Sequence, residues 1–246
     1  MTVAEDTVRR IVERTVFTPV RQGDVVAEAV ARLGQAIGMG LLRPGDRLPS
    51  EARLAEDLGI SAVSLRSALT MLRGAGLLET RRGRGGGTVV LAAATAPSVH
   101  GTVPDEVELR DLVDYRAVVE GGAAALAAQR ATPDQVEHLV TLSTALRGVE
   151  AFTAWSEQDT LLHLVIADAA GSARVMGEVG RIRAEVFRIS QLVPVPREAA
   201  DLANREHDDL VAAIAAGKPE RARRAMVHHV ESTRSLWLGL GRVPRG

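Results

Sequence analysis

At 246 residues the chain is long enough for one large domain or two small ones, and its 46% hydrophobic content can supply a real core. With no cysteine it has neither a disulfide framework nor thiolate chemistry, which fits a reducing compartment. The net charge of −1 hides an asymmetry: residues 1–96 carry 13 arginines against 10 acids, and residues 60–90 carry five arginines against Glu79 alone.

A local basic patch in a near-neutral chain points to nucleic acid, although a solvated charged surface reads the same on charge alone. The N-terminus has no signal pattern, and no apolar stretch reaches about 18 residues. A soluble, cytoplasmic protein with no membrane partner is expected. Aromatics make up only 2% of the chain, so aliphatic residues and alanine must pack the core.

Residues 1–23 carry no clear pattern and are set aside as an N-terminal extension, either a loose tail or an added helix. From 24 to 38, Val26, Val30, Leu33 and Ile37 form one helical stripe. "LLRPGDRLPS" is a turn. Ser50 caps a short helix that ends at Leu58, where Gly59 stops it. Ser61 caps the next helix, 61–73, whose buried stripe is Leu65, Leu69 and Leu72. Gly74 and Gly76 end that helix, and short strands at 77–80 and 87–91 flank "RRGRGGG".

Two short helices joined by a tight glycine turn make a helix–turn–helix. Its second helix places Ala62, Arg66, Thr70 and Arg73 opposite the leucines, on a face suited to the major groove. Ser61 and Ser64 sit at the helix start, where hydroxyls and backbone amides bind phosphate. No Gly-Lys-Ser/Thr follows the glycine run, which excludes a nucleotide-binding P-loop. Directly after a helix–turn–helix, Arg81, Arg82, Arg84 and the glycines around Gly85 read as a wing that approaches DNA closely. A solvated β-turn is the alternative.

Residues 92–104 are small, proline-bearing and aperiodic, which marks a linker. Beyond it the chain reads as helices only, near 105–130, 133–148, 150–170, 172–192, 198–216 and 219–238. Six helices in this span make a bundle, and residues 239–246 are a C-terminal tail. The expected fold is mostly α, with an N-terminal winged helix–turn–helix at 24–91 and an all-helical bundle at 105–238.

The bundle carries polar residues on apolar stripes. Asp159 and His163 are four apart, among Phe152, Trp155, Leu162 and Ile166. His207 lies among Ala203, Leu210, Val211 and Ile214, and His229 among Ala222, Met226, Val230 and Thr233. His228 falls with Arg221 and Arg224 and is assigned to solvent. One Asp and three His thus turn inward from three helices. Spacing alone leaves two readings: core histidines satisfied by hydrogen bonds, or ligands of a divalent metal such as zinc, nickel or manganese. Arg116 also points inward, on a stripe with Leu109, Leu112, Val119 and Ala123. It either forms a structural pair with Glu120 or receives a carboxylate ligand. A metal-dependent hydrolase is the rival from another class. No further inward carboxylate stands out as its general base, and the winged module would go unexplained.

"GLLRPGDRLPSEARLAEDLGISAVSLRSALTMLRGAGLLETRRGRGGGTVV" resembles the winged helix–turn–helix of GntR-type bacterial transcription regulators. Two departures stand out. Ala52 and Ala62 occupy positions where the family often has arginine, which shifts expected DNA contact toward the wing and Arg53, with Arg66 in its usual place. The region 105–238 resembles the FCD ligand-sensing domain of the FadR-like branch. That resemblance implies metal ligation by Asp159, His163, His207 and His229, and an effector role for Arg116. It also implies a homodimer on near-palindromic operator DNA, answering to a small organic acid. Repression relieved by the effector is the expected sign. The same regulator with a metal-free pocket is the alternative.

Overall fold

The computed structural model describes residues 3–17, 19, 25–81, 87–91, 103–193 and 195–240. Backbone contacts divide the chain into two compact units, Met1–His100 and Gly101–Gly246.

The first unit opens with α1 (Val3–Thr15), so an added helix rather than a loose tail is present over these residues. Ile11, Val12 and Val16 are buried at its end. Then come α2 (Val25–Gly38) and the helix–turn–helix of α3 (Glu51–Leu58) and α4 (Ala62–Gly74). Ser50 Oγ accepts from Arg53 N, and Ser61 Oγ accepts from Ser64 N at 3.0 Å, so both serines cap as their positions predict. Gly59 closes α3 at φ 63°, a left-handed conformation that favours glycine. Leu65, Leu69 and Leu72 of α4 are buried against α2, which contributes Ala29, Leu33 and Ala36.

Strands β1 (Leu78–Arg81) and β2 (Gly87–Val90) pair antiparallel, with Leu78 opposite Val90 and Arg81 opposite Gly87. The Pro-Gly-Asp turn has a clear local cause. Asp46 Oδ2 accepts from Arg43 N at 2.7 Å, bending the chain so that residues 45–48 add backbone hydrogen bonds to β2.

The second unit is a bundle of α5 (Glu106–Arg130), α6 (Pro133–Leu146), α7 (Phe152–Ala169), α8 (Ala173–Ser190), α9 (Arg197–Ala215) and α10 (Pro219–Leu240). Asp105 with Glu108, and Thr132 with Gln135, form capping boxes that start α5 and α6. The α7 helix is central: from Leu162 to Ala169 every side chain is buried. It packs on α5, α6 and α8, while α5 runs along α10 and α9 lies against α6, α5 and α10. Gly121 permits the close approach of α5 and α10, because a Cβ there would lie 3.1 Å from Val227 Cγ2. Most of the predicted linker, 92–102, lies outside the described residues. Among those described, no helix is long and apolar enough to cross a membrane.

Candidate metal centre and DNA-reading face

The bundle brings the four polar residues of the apolar stripes to one point. Asp159 and His163 stand one turn apart on α7, His207 comes from α9, and His229 comes from α10. All four are buried, and one ligand atom from each lies within 4.8 Å of all the others. His207 Nε2 is 3.3 Å from Asp159 Oδ1, and His163 Nε2 is 3.9 Å from the same oxygen. The imidazoles crowd together, with ring centroids 4.4 Å apart for His207 and His229 and 5.2 Å apart for His163 and His229.

Crowding three imidazoles away from water is costly unless their nitrogens find partners. Among the described residues, His163 Nε2 and both ring nitrogens of His207 make no hydrogen bond. Unpaired lone pairs converging beside a carboxylate suit a divalent cation, so this donor set fits a metal ion.

Their protonation states fit it too. Burial, then the nearby Arg183, push the His163 pKa from 6.5 down to about 3, against the opposite pull of Glu120 and Asp159. Burial and the neighbouring His207 lower that of His229, against Glu206. Burial alone would raise the Asp159 pKa, but Arg183, His207 and His163 outweigh it and hold the carboxyl well below its ordinary range. Neutral imidazoles and an ionised carboxylate are the forms that ligate metal.

A second ring of charges surrounds the four. Arg183 of α8 donates to Asp159 Oδ2. Glu206 Oε2 pairs with His229 Nδ1 at 2.9 Å, while Ser232 Oγ donates to Glu206 Oε1 at 2.6 Å. Glu120 Oε2 lies 2.6 Å from His163 Nδ1, a close polar contact outside regular hydrogen-bond angles. Burial opposes ionisation of Glu120, but Arg116, His163 and Arg183 together keep its pKa well below the usual value.

These findings correct the sequence reading in one respect. Glu120 and Glu206 are inward-facing carboxylates, buried to 1% and 8% exposure, where none stood out as a general base. Both are engaged with histidines rather than free to act as a general base. Arg183 was not anticipated at all. Its position on a stripe with Met176, Val179 and Val186 was the available signal.

Arg116 is buried as its stripe predicts, and the pair with Glu120 is present: Arg116 Nε donates to Oε1 at 3.0 Å. Its Nη1 has no hydrogen-bond partner among the described residues, and its Cζ lies 6.0 Å from the Trp237 ring centroid. His228 is on the surface as expected, with its side chain 73% exposed.

In the N-terminal unit, Arg66 and Thr70 project from α4 into solvent. Arg66 Nε donates to Glu51 Oε2 at 3.2 Å. Arg73 is half-buried, donating to Thr80 of β1 and Thr70 of its own helix, and so braces the wing strand against α4. Arg53 pairs with Asp57 and Arg81 with Glu79. Ser61 and Ser64 bond to each other at the start of α4. Arg82, Arg84 and Gly85 lie outside the described residues. Exposed pairs such as these contribute little, so a phosphate can displace the acid at small cost.

Residues 26–90 match the family model "Bacterial regulatory proteins, gntR family", and residues 111–232 match that of the FCD domain. RmpR of Mycobacterium gastri, an HTH-type transcriptional regulator by name, is 33% identical over 86% of this chain and 78% of its own length. The chain belongs to the GntR family. The Glc operon transcriptional activator of Escherichia coli K12 is 32% identical over 86% of this chain and 87% of its own. Among solved structures, E. coli McbR/YncC shares the fold, with a TM-score of 0.53 at 19% identity over 87% of this chain and 97% of its own. This GntR protein is therefore a DNA-binding transcription regulator with a C-terminal FCD domain, and not an enzyme.

Proposed function

We propose that this regulator holds a divalent metal ion on Asp159, His163, His207 and His229 and senses a small carboxylate beside it. One observation carries this reading: four buried donors from three helices converge, and the ring nitrogens of His163 and His207 make no regular hydrogen bond among the described residues. The ion would supply a Lewis-acidic anchor for a carboxylate. Arg116 Nη1, buried and unpaired, would take part in holding that anion.

In this reading residues 24–91 read DNA, 105–238 sense the effector, 92–104 link the two, 1–23 extend the reader and 239–246 are a tail. A cytoplasmic homodimer would present Arg53, Ser61, Ser64, Arg66, Thr70, Arg73 and the wing residues Arg81, Arg82, Arg84 and Gly85 to two half-sites of an operator. Effector binding would bias the helices of the bundle and relieve repression, a coupling worth about 1–3 kcal/mol. The E. coli relative is named an activator, so operator affinity measured with and without effector decides the sign.

Elemental analysis and thermal shift test the metal. Purified protein should carry zinc, nickel or manganese and lose melting temperature on chelation. His207→Ala should lower both metal content and the chelator-sensitive part of the melting temperature. A wild-type protein without metal, indifferent to added ions, would favour a metal-free pocket instead.

A further inference from the structure

Glu120 is placed between two functional candidates. One oxygen accepts from Arg116 Nε at 3.0 Å, on the same helix, and the other lies 2.6 Å from His163 Nδ1, on α7. Both glutamate and arginine are 1% exposed. A buried carboxylate is costly to hold, and a plain Arg–Glu pair would need only one partner.

Occupying Nδ1 of His163 fixes which nitrogen is left over. Nδ1 is 2.6 Å from the glutamate, a contact outside regular hydrogen-bond angles, whereas Nε2 is 3.9 Å from Asp159 Oδ1. The same device recurs independently at His229, whose Nδ1 meets Glu206. A carboxylate on the far nitrogen of an imidazole sets the tautomer and raises the basicity of the near one. The two glutamates differ in what lies behind them. Glu206 is backed by the hydroxyl of Ser232, whereas Glu120 is backed by a guanidinium with a donor to spare.

We propose that Glu120 is a positioning residue that couples Arg116 to the metal ligand His163, so that whatever engages Arg116 changes how tightly the site holds a cation. The inference rests on the metal reading above and adds to it a route by which an anion on Arg116 and a cation on His163 report on each other. Such linkage is reciprocal.

Zinc titration of the full chain tests the coupling, with wild type, Glu120→Gln, Arg116→Gln and the double variant compared at one pH. Glu120→Gln should weaken zinc binding about 10- to 100-fold. Arg116→Gln should weaken it by about fivefold or more. The double variant should lose little beyond Glu120→Gln alone, since the two act through one path. Glu206→Gln should also weaken zinc binding, but its effect should add to that of Arg116→Gln. Wild-type zinc affinity in Arg116→Gln, or additivity of Arg116→Gln with Glu120→Gln, overturns the proposal.

A second measurement needs neither a variant nor a metal. Nitrogen NMR of histidine-labelled, chelated wild type should show His163 protonated on Nδ1. A proton on Nε2 instead would overturn the proposal even if zinc binds. A protein that binds no zinc but carries the Nδ1 proton would remove the metal reading and leave Glu120's hold on His163 standing.

Discussion

Arg183 donates through Nη2 to Asp159 Oδ2, and both side chains are buried where α8 crosses α7. The pair turns one carboxylate oxygen toward an arginine and the other toward His207 and His163. Arg183→Met keeps most of the volume and removes the charge, leaving Asp159 without its guanidinium partner. Breaking one side of a buried pair costs about 3–5 kcal/mol. Chelated Arg183→Met should lose that much stability in urea, and added zinc should restore part of it. A loss below about 1 kcal/mol would mean that Asp159 does not depend on Arg183.

Acid should destabilise the metal-free protein early. His163 folds with its pKa at about 3 rather than 6.5, chiefly through burial and then through Arg183. Between those two values the unfolded chain takes up a proton that the folded chain refuses. Stability therefore falls as pH drops below about 6.5, by up to about 1.4 kcal/mol per pH unit for this group. His229 is shifted in the same direction. Glu120 and Asp159 act at lower pH with the same sign. Their folded pKa values are depressed, so the stability they give is present above the ordinary carboxylate range and is lost as pH falls through it. Urea midpoints of chelated protein should be flat from about pH 8 to 7 and decline from 6.5 to 5. His163→Asn should reduce the slope of that decline, and an unchanged slope would assign it to other groups.

The helices and the four central polar residues were legible because each makes a local pattern. Leu65, Leu69 and Leu72 mark the buried side of α4, and Asp159 with His163 interrupts an apolar stripe at helical spacing. The surrounding charges were less legible for two physical reasons. Arg183 shares α8 with Arg174, Arg181 and Arg188, so by composition it reads as one more solvated arginine, although it alone of these is fully buried. Glu120 was visible as the neighbour of Arg116. Its contact with His163 depends on how α5 meets α7, across 43 positions of sequence that no periodicity connects.

Close packing of α5 on α10 depends on Gly121. An added Cβ would meet Val227 Cγ2 at 3.1 Å and Arg223 Cγ at 3.5 Å. Gly121→Ala should be near neutral, since gained helix propensity of about 1 kcal/mol offsets a contact that needs only a small adjustment. Gly121→Leu should cost about 1–3 kcal/mol by overpacking. Thermal denaturation of both variants checks this, and a neutral Gly121→Leu would show that the helices separate easily.

The face of α4 proposed to read DNA yields a prediction that separates reading from bracing. Arg66 is 68% exposed in its side chain and, among the described residues, tied only to Glu51, itself on the surface. Its guanidinium can leave that acid for a guanine edge at little cost. Arg73 is held by Thr80 and Thr70, so its loss should loosen the join between α4 and the wing. Arg66→Ala should weaken specific operator binding by about 1–3 kcal/mol and relax base preference at one position in each half-site, with metal content and melting temperature unchanged. Arg73→Ala should weaken binding across all sequences alike, and it should lower the melting temperature of the N-terminal unit. Both variants must be compared at one salt concentration, because phosphate contacts dominate the salt dependence. Operator affinity unchanged in Arg66→Ala would remove it from the reading face, and unchanged base preference would move it to the phosphates.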